Sequence, residues 1–109
     1  MSAYVIVEAT VVDEESRRRY ASQAEPLLRE VGAEVIAFGP WQVLSGEPAF
    51  NDGMIIRFPD NETASAWYQS PAYQSLLEIR AAAFDCRFRL VNERRRAKDS
   101  HERVPPEGS

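Results

Sequence analysis

Trp67-Tyr68-Gln69-Ser70-Pro71-Ala72-Tyr73-Gln74-Ser75-Leu76-Leu77 is the stretch on which the fold turns. Ser70 can cap a helix, and Pro71 suits the first helical position, where no amide proton is needed. One helix is therefore expected to end near Gln69 and a second to start at Pro71. The second presents Tyr73, Leu76, Leu77, Arg80 and Phe84 at helical spacing. Upstream, Pro59 closes a short apolar run, Met54 to Phe58, and Asp60 is a helix cap. Downstream, Cys86-Arg87-Phe88-Arg89-Leu90-Val91 alternates as a strand does. The joint thus divides a helix pair lying between two strands.

The first half has the same grammar. Residues 3–12 are β-branched and aromatic and read as a strand, with Val5, Val7, Ala9 and Val11 uniformly apolar on one face. Tyr4, Ile6, Glu8 and Thr10 make a mixed second face. Asp13 caps a helix with Glu14 and Glu15 in its first turn, where the helix dipole favours acids. Tyr20, Ala24, Leu27, Leu28 and Val31 carry its apolar stripe, Pro26 is expected to kink it, and Gly32 ends it. Residues 34–38 read as a second strand, which Gly39-Pro40 either breaks or bends, with Trp41–Leu44 as its candidate continuation. Residues 45–53 read as a loop.

Strand, helix, two strands, helix pair, strand is βαββαβ, a ferredoxin-like α+β fold with helices on one face of an antiparallel sheet. The other face is predicted to carry Tyr4, Ile6, Ile36, Phe38, Ile55 and Val91, too apolar a set for water. Two sheets packed face to face would cover it, so a homodimer closed into an α+β barrel is expected. The same face receives Glu8, Arg57, Arg87 and Arg89. These charges read either as cross-strand ion pairs or as a polar pocket with arginine donors for a carboxylate.

Composition narrows the function classes. The 109 residues suit one domain, predicted over residues 1–92, with residues 93–109 as a charged tail. Residues 1–92 hold 8 basic and 13 acidic side chains, and the whole chain has a net charge of −4. This balance argues against nucleic-acid binding. The run Arg94–Arg96 reads either as a solvated tail or as a contact for an acidic partner. Cys86 is the only cysteine and His101 the only histidine, so no internal disulfide, metal site or cofactor is expected. No apolar segment is long enough to span a membrane, and the start lacks a basic leader, which points to the cytoplasm.

The segment Trp67-Tyr68-x-Ser70-Pro71-x-Tyr73-Gln74, followed by Arg80, resembles the signature of the domain-of-unknown-function 1330 family. Tyr4-Val5-Ile6-Val7, Tyr20, Gly32, Ile55-x-x-Phe58-Pro59 and Leu90-Val91 fall in that family's order, covering residues 3 to about 92. Ala33 stands where the family usually has a second glycine, and Val91-Asn92-Glu93 replaces its usual Val-Asp/Glu-Gly ending. The resemblance implies a dimeric α+β barrel, a superfamily that includes cofactor-free monooxygenases, lactone isomerases, haem-degrading enzymes and stress-response proteins. It does not choose among those chemistries.

The candidate chemistry falls to Tyr, Arg, Glu and Trp. Tyr20, Trp67, Tyr68, Tyr73 and Arg80 could line a cleft between helices and sheet, with Tyr20 and Tyr73 acting on a substrate oxygen and Arg80 holding an anion. Alternatively these aromatics are core. Glu8 is a further candidate proton handler, and Arg57 and Arg87 are candidate anchors. Two functions follow. One is a small-molecule-binding homodimer, acting as a cofactor-independent enzyme on a small acidic or aromatic metabolite. The other is a non-catalytic interaction or stress-response dimer with a packed barrel.

Overall fold

The computed structural model describes residues 1–94, so the predicted tail beyond Arg94 lies outside the described residues. The elements are β1 (Ala3–Val11), α1 (Glu14–Glu30), β2 (Glu34–Pro40), β3 (Asp52–Phe58), α2 (Asn61–Gln69), α3 (Pro71–Gln74), α4 (Leu77–Ala83) and β4 (Phe84–Asn92). The four strands form one sheet in the order β2-β3-β1-β4, with every pair antiparallel. This is the ferredoxin-like arrangement expected from the sequence.

The helix starts follow local chemistry. Asp13 accepts a hydrogen bond from the Ser16 amide at 2.9 Å, and Asp60 accepts one from the Thr63 amide at 2.7 Å. Ser70 does the same for the Tyr73 amide at 3.1 Å, with Pro71 at the first helical position. Gly32, at φ +76°, ends α1 in the left-handed conformation that side chains resist. Pro26 lies within α1 without ending it.

Three expectations need correction. The helix from Pro71 is two short helices, broken at Ser75 and Leu76, and Phe84 already belongs to β4. β2 runs through Gly39 and Pro40, and Trp41–Leu44 does not continue it. A bulge between Val35 and Ala37 shifts the β2 register, so that Phe38 lies opposite Met54. Met54 in turn faces Val7 on β1, which puts Phe38 on the helix side rather than the open side. One extra residue reverses the facing of everything after it.

The core lies between the sheet and the helices. Val5, Val7, Ile56 and Phe58 from the sheet meet Ala24 from α1, Trp67 from α2, Tyr73 from α3 and Leu76 from the joint before α4. Phe58 and Tyr73 are wholly buried. On the opposite face Tyr4, Ile6, Ile55 and Val91 lie together by register, and Val91 is half-exposed.

Candidate functional site

Small residues make room under α1. Ala21 and Ala24 on the helix and Ala9 on β1 leave a space that larger side chains would fill in a close-packed core. The result is a cavity of about 650 Å³ between α1 and the helix-facing side of the sheet. That size suits a small organic molecule. Its wall is mostly apolar, with Phe38, Met54, Trp67, Phe84 and Phe88 contributing, and Tyr20 brings a phenol hydroxyl to it.

Tyr20 sits one end of a hydrogen-bonded chain. Its hydroxyl lies 2.6 Å from the Tyr73 hydroxyl, and Arg80 Nη1 donates to that same Tyr73 oxygen at 2.9 Å. The ring of Tyr20 meets Tyr73 and Phe84 edge-on, at centroid distances of 6.3 and 5.6 Å. Arg80 stacks its guanidinium 4.4 Å from the Phe88 centroid and 5.6 Å from that of Tyr68. It forms no ion pair with a carboxylate among the described residues.

The polarity of this chain follows from its members. Guanidinium can only donate, so the Tyr73 oxygen accepts from Arg80. Tyr73 is wholly buried, and Tyr20 is its hydroxyl's other partner among the described residues. Either hydroxyl can be the donor between them; with Tyr73 donating to Tyr20, every proton of the buried pair has a use and Tyr20 keeps its own for a further acceptor. Burial pushes the Tyr20 hydroxyl well above the ordinary phenol range, helped by its proximity to Tyr73. Burial raises Tyr73 as well, against the lowering effect of its hydrogen bonds to Tyr20 and Arg80. Tyr20 is thus a neutral donor at physiological pH rather than a base.

Trp67 lines this cavity and also a smaller one of about 250 Å³ beside β4, which Tyr68 borders too. The Trp67 ring centroid is 4.5 Å from that of Tyr73, and its buried indole nitrogen has no hydrogen-bond partner among the described residues. Tyr20, Trp67, Tyr68, Tyr73 and Arg80 are therefore one cluster, although they come from four elements, α1 to α4. Arg80 does not line the main cavity: it reaches it through Tyr73.

The remaining predicted residues lie across the sheet. Glu8 Oε1 accepts from Arg87 Nε at 2.9 Å and from Arg89 Nη2 at 2.7 Å, and Glu34 takes Arg57 at 2.8 Å. Both arginines on Glu8 come from β4, because the β3 residue opposite it is Gly53 rather than Arg57. The Trp41 ring lies directly over Gly53, where a Cβ would come within 1.9 Å of it. Glu8, Arg57 and Arg87 are thus occupied by one another or by Glu34, and the sheet separates them from the cavity. Sequence reasoning put Phe38 on the wrong face, for want of the bulge, and missed the cavity-wall charges Arg17 and Asp52. The run of small residues on the inner stripe of α1 was the available signal.

The family model described as "Domain of unknown function (DUF1330)" matches residues 2–94. The chain belongs to that family. No curated protein matches it in sequence. Among solved structures, a protein of unknown function from Rhodopseudomonas palustris superposes with TM-score 0.71 at 16% identity, over 87% of this chain and 84% of that one. A dimeric ferredoxin-like protein of unknown function from Jannaschia sp. CCS1 gives 0.62 at 15% identity, over 85% and 100%. SnoaB, a cofactor-independent oxygenase from Streptomyces nogalater, gives 0.59 at 10% identity, over 90% and 98%. At these identities the likeness shows this DUF1330 chain's fold and not its activity. Among the described residues no helix is long and apolar enough to cross a membrane, and no group of three metal-binding side chains converges.

Proposed function

We propose that this DUF1330 protein is a homodimer that binds a small aromatic metabolite in the cavity under α1 and acts on it as a cofactor-independent enzyme. The observation that carries this reading is the chain Arg80–Tyr73–Tyr20, which begins at a permanent cation and ends at a phenol in the cavity wall. A preorganised donor of this kind stabilises negative charge as it develops on a ligand oxygen, and a desolvated site strengthens it. Tyr20 is the group that would touch the ligand. Tyr73 and Arg80 act through it as positioning residues, and Trp67 shapes the wall.

Support for the dimer comes from the open face of the sheet. Tyr4, Ile6, Ile55 and Val91 need a cover, and the Glu8–Arg87–Arg89 cluster beside them is suited to a two-fold interface. The Jannaschia neighbour is described as dimeric. The SnoaB neighbour lends the enzyme reading its precedent for chemistry without a cofactor. In this reading Glu8, Arg57 and Arg87 serve assembly and not the ligand.

Native mass spectrometry of the protein purified without added ligand tests both halves. The expected result is a dimer carrying a small-molecule adduct, with the adduct lost and the dimer kept in Tyr20→Phe. A monomer would overturn the assembly. An adduct undiminished in Tyr20→Phe would remove Tyr20 from the site.

A further inference from the structure

Four charged side chains, Glu14, Arg17, Glu25 and Asp52, contribute to the cavity wall. Arg17 is held by Glu14, with both its Nε and Nη2 2.6 Å from Oε2. Glu25 is held by Arg29 at 3.2 Å. Asp52 alone of the four has no side-chain hydrogen bond or ion pair among the described residues, and it is half-buried at the start of β3. Its register opposite Ala9 puts it on the same side of the sheet as Met54 and Ile56. Arg80, which does not line the cavity, stands behind Tyr73 and within cation–π range of three aromatic rings.

We propose that this cavity excludes anions and takes neutral or cationic aromatic ligands, with an oxygen at Tyr20 and the charged or donor end at Asp52. The inference deepens the ligand-site reading above and rests on it. A carboxylate entering the cavity would lose its water and find no uncommitted cation in exchange, while facing an uncompensated Asp52. An ammonium would gain Asp52, with the aromatic residues Phe38 and Phe84 also in the wall. The acidic metabolites suggested by the arginines on the other face of the sheet are therefore the disfavoured class.

Three probes with one ring separate the possibilities: tyramine (cationic), tyrosol (neutral) and hydroxyphenylacetate (anionic). Each is titrated into the full-length, isotope-labelled protein, and amide shifts at Val7, Ala24 and Phe84 are followed by NMR. Tyramine is expected to bind about tenfold more tightly than hydroxyphenylacetate, equivalent to about 1.4 kcal/mol, with tyrosol between. Asp52→Asn should reduce that ratio to about threefold or less, and added salt should compress it in the unaltered protein. Equal affinities, or tightest binding by hydroxyphenylacetate, would overturn the charge inference and leave the cavity as the ligand site. Absence of shifts with all three would overturn both readings.

Discussion

Replacing Tyr73 with Phe removes one oxygen atom from the centre of the hydrogen-bonded chain and leaves the ring in place. The lost contacts are a charge-assisted bond from Arg80 at 2.9 Å and a neutral bond to Tyr20 at 2.6 Å. Such bonds contribute roughly 1.5–3 and 0.5–1.5 kcal/mol respectively. Arg80 and Tyr20 are each only partly buried, so water restores some of what they lose. The net cost should be about 1.5–3 kcal/mol, which for a domain of this size lowers the melting temperature by roughly 10 °C. Urea unfolding followed by circular dichroism gives the free energy directly, at one fixed protein concentration because association adds stability by mass action. The decisive control is a cycle with Arg80→Met: the two substitutions should couple by about 1 kcal/mol or more, since each breaks the same bond. A Tyr73→Phe cost under about 0.5 kcal/mol, or simple additivity with Arg80→Met, would refute the chain as an energetic unit.

Other perturbations test other parts. Gly53→Ala should expel the Trp41 ring from the sheet, because no L side chain fits 1.9 Å from its carbons. Trp41 fluorescence should shift to the red in a Trp67→Phe background. Glu8→Ala leaves Arg87 and Arg89 facing each other unneutralised, and should weaken self-association in analytical ultracentrifugation while the circular dichroism spectrum stays native. Tyr20 and Tyr73 favour their neutral forms in the folded state, so they stabilise it below the ordinary phenol value and lose that contribution as the pH rises above it. Spectrophotometric titration should show a late tyrosine phase coincident with alkaline unfolding, diminished in Tyr20→Phe. Asp13 and Asp60 are held below the ordinary carboxylate value by hydrogen bonds from Ser16 and Thr63. Their contribution is present above that value and is lost as the pH falls through the lower folded values. Asp13→Asn and Asp60→Asn should therefore flatten the acid limb of the stability curve.

Sequence alone determined the order of elements, the helix caps and the family. Asp13, Asp60 and Ser70-Pro71 act on amides within their own first turn, and the alternation of β1 and β4 shows which residues share a face. Such signals are local, and they survive in a linear reading. The sequence also named Tyr20, Trp67, Tyr68, Tyr73 and Arg80 as a candidate cluster, but not the geometry that joins them. Tyr20 and Tyr73 are 53 positions apart, and their contact depends on how α1 packs across the sheet from the helices after β3. A single inserted residue in β2 turned Phe38 toward the cavity. Glu8 meets Arg87 and Arg89 and not Arg57, because Gly53, under Trp41, stands opposite it on β3. Facing, register and cavity volume come from packing between distant segments, which side-chain identity constrains only jointly. Tertiary structure therefore decided which arginines meet a carboxylate, which one meets a tyrosine, and where an empty space remains between α1 and the sheet.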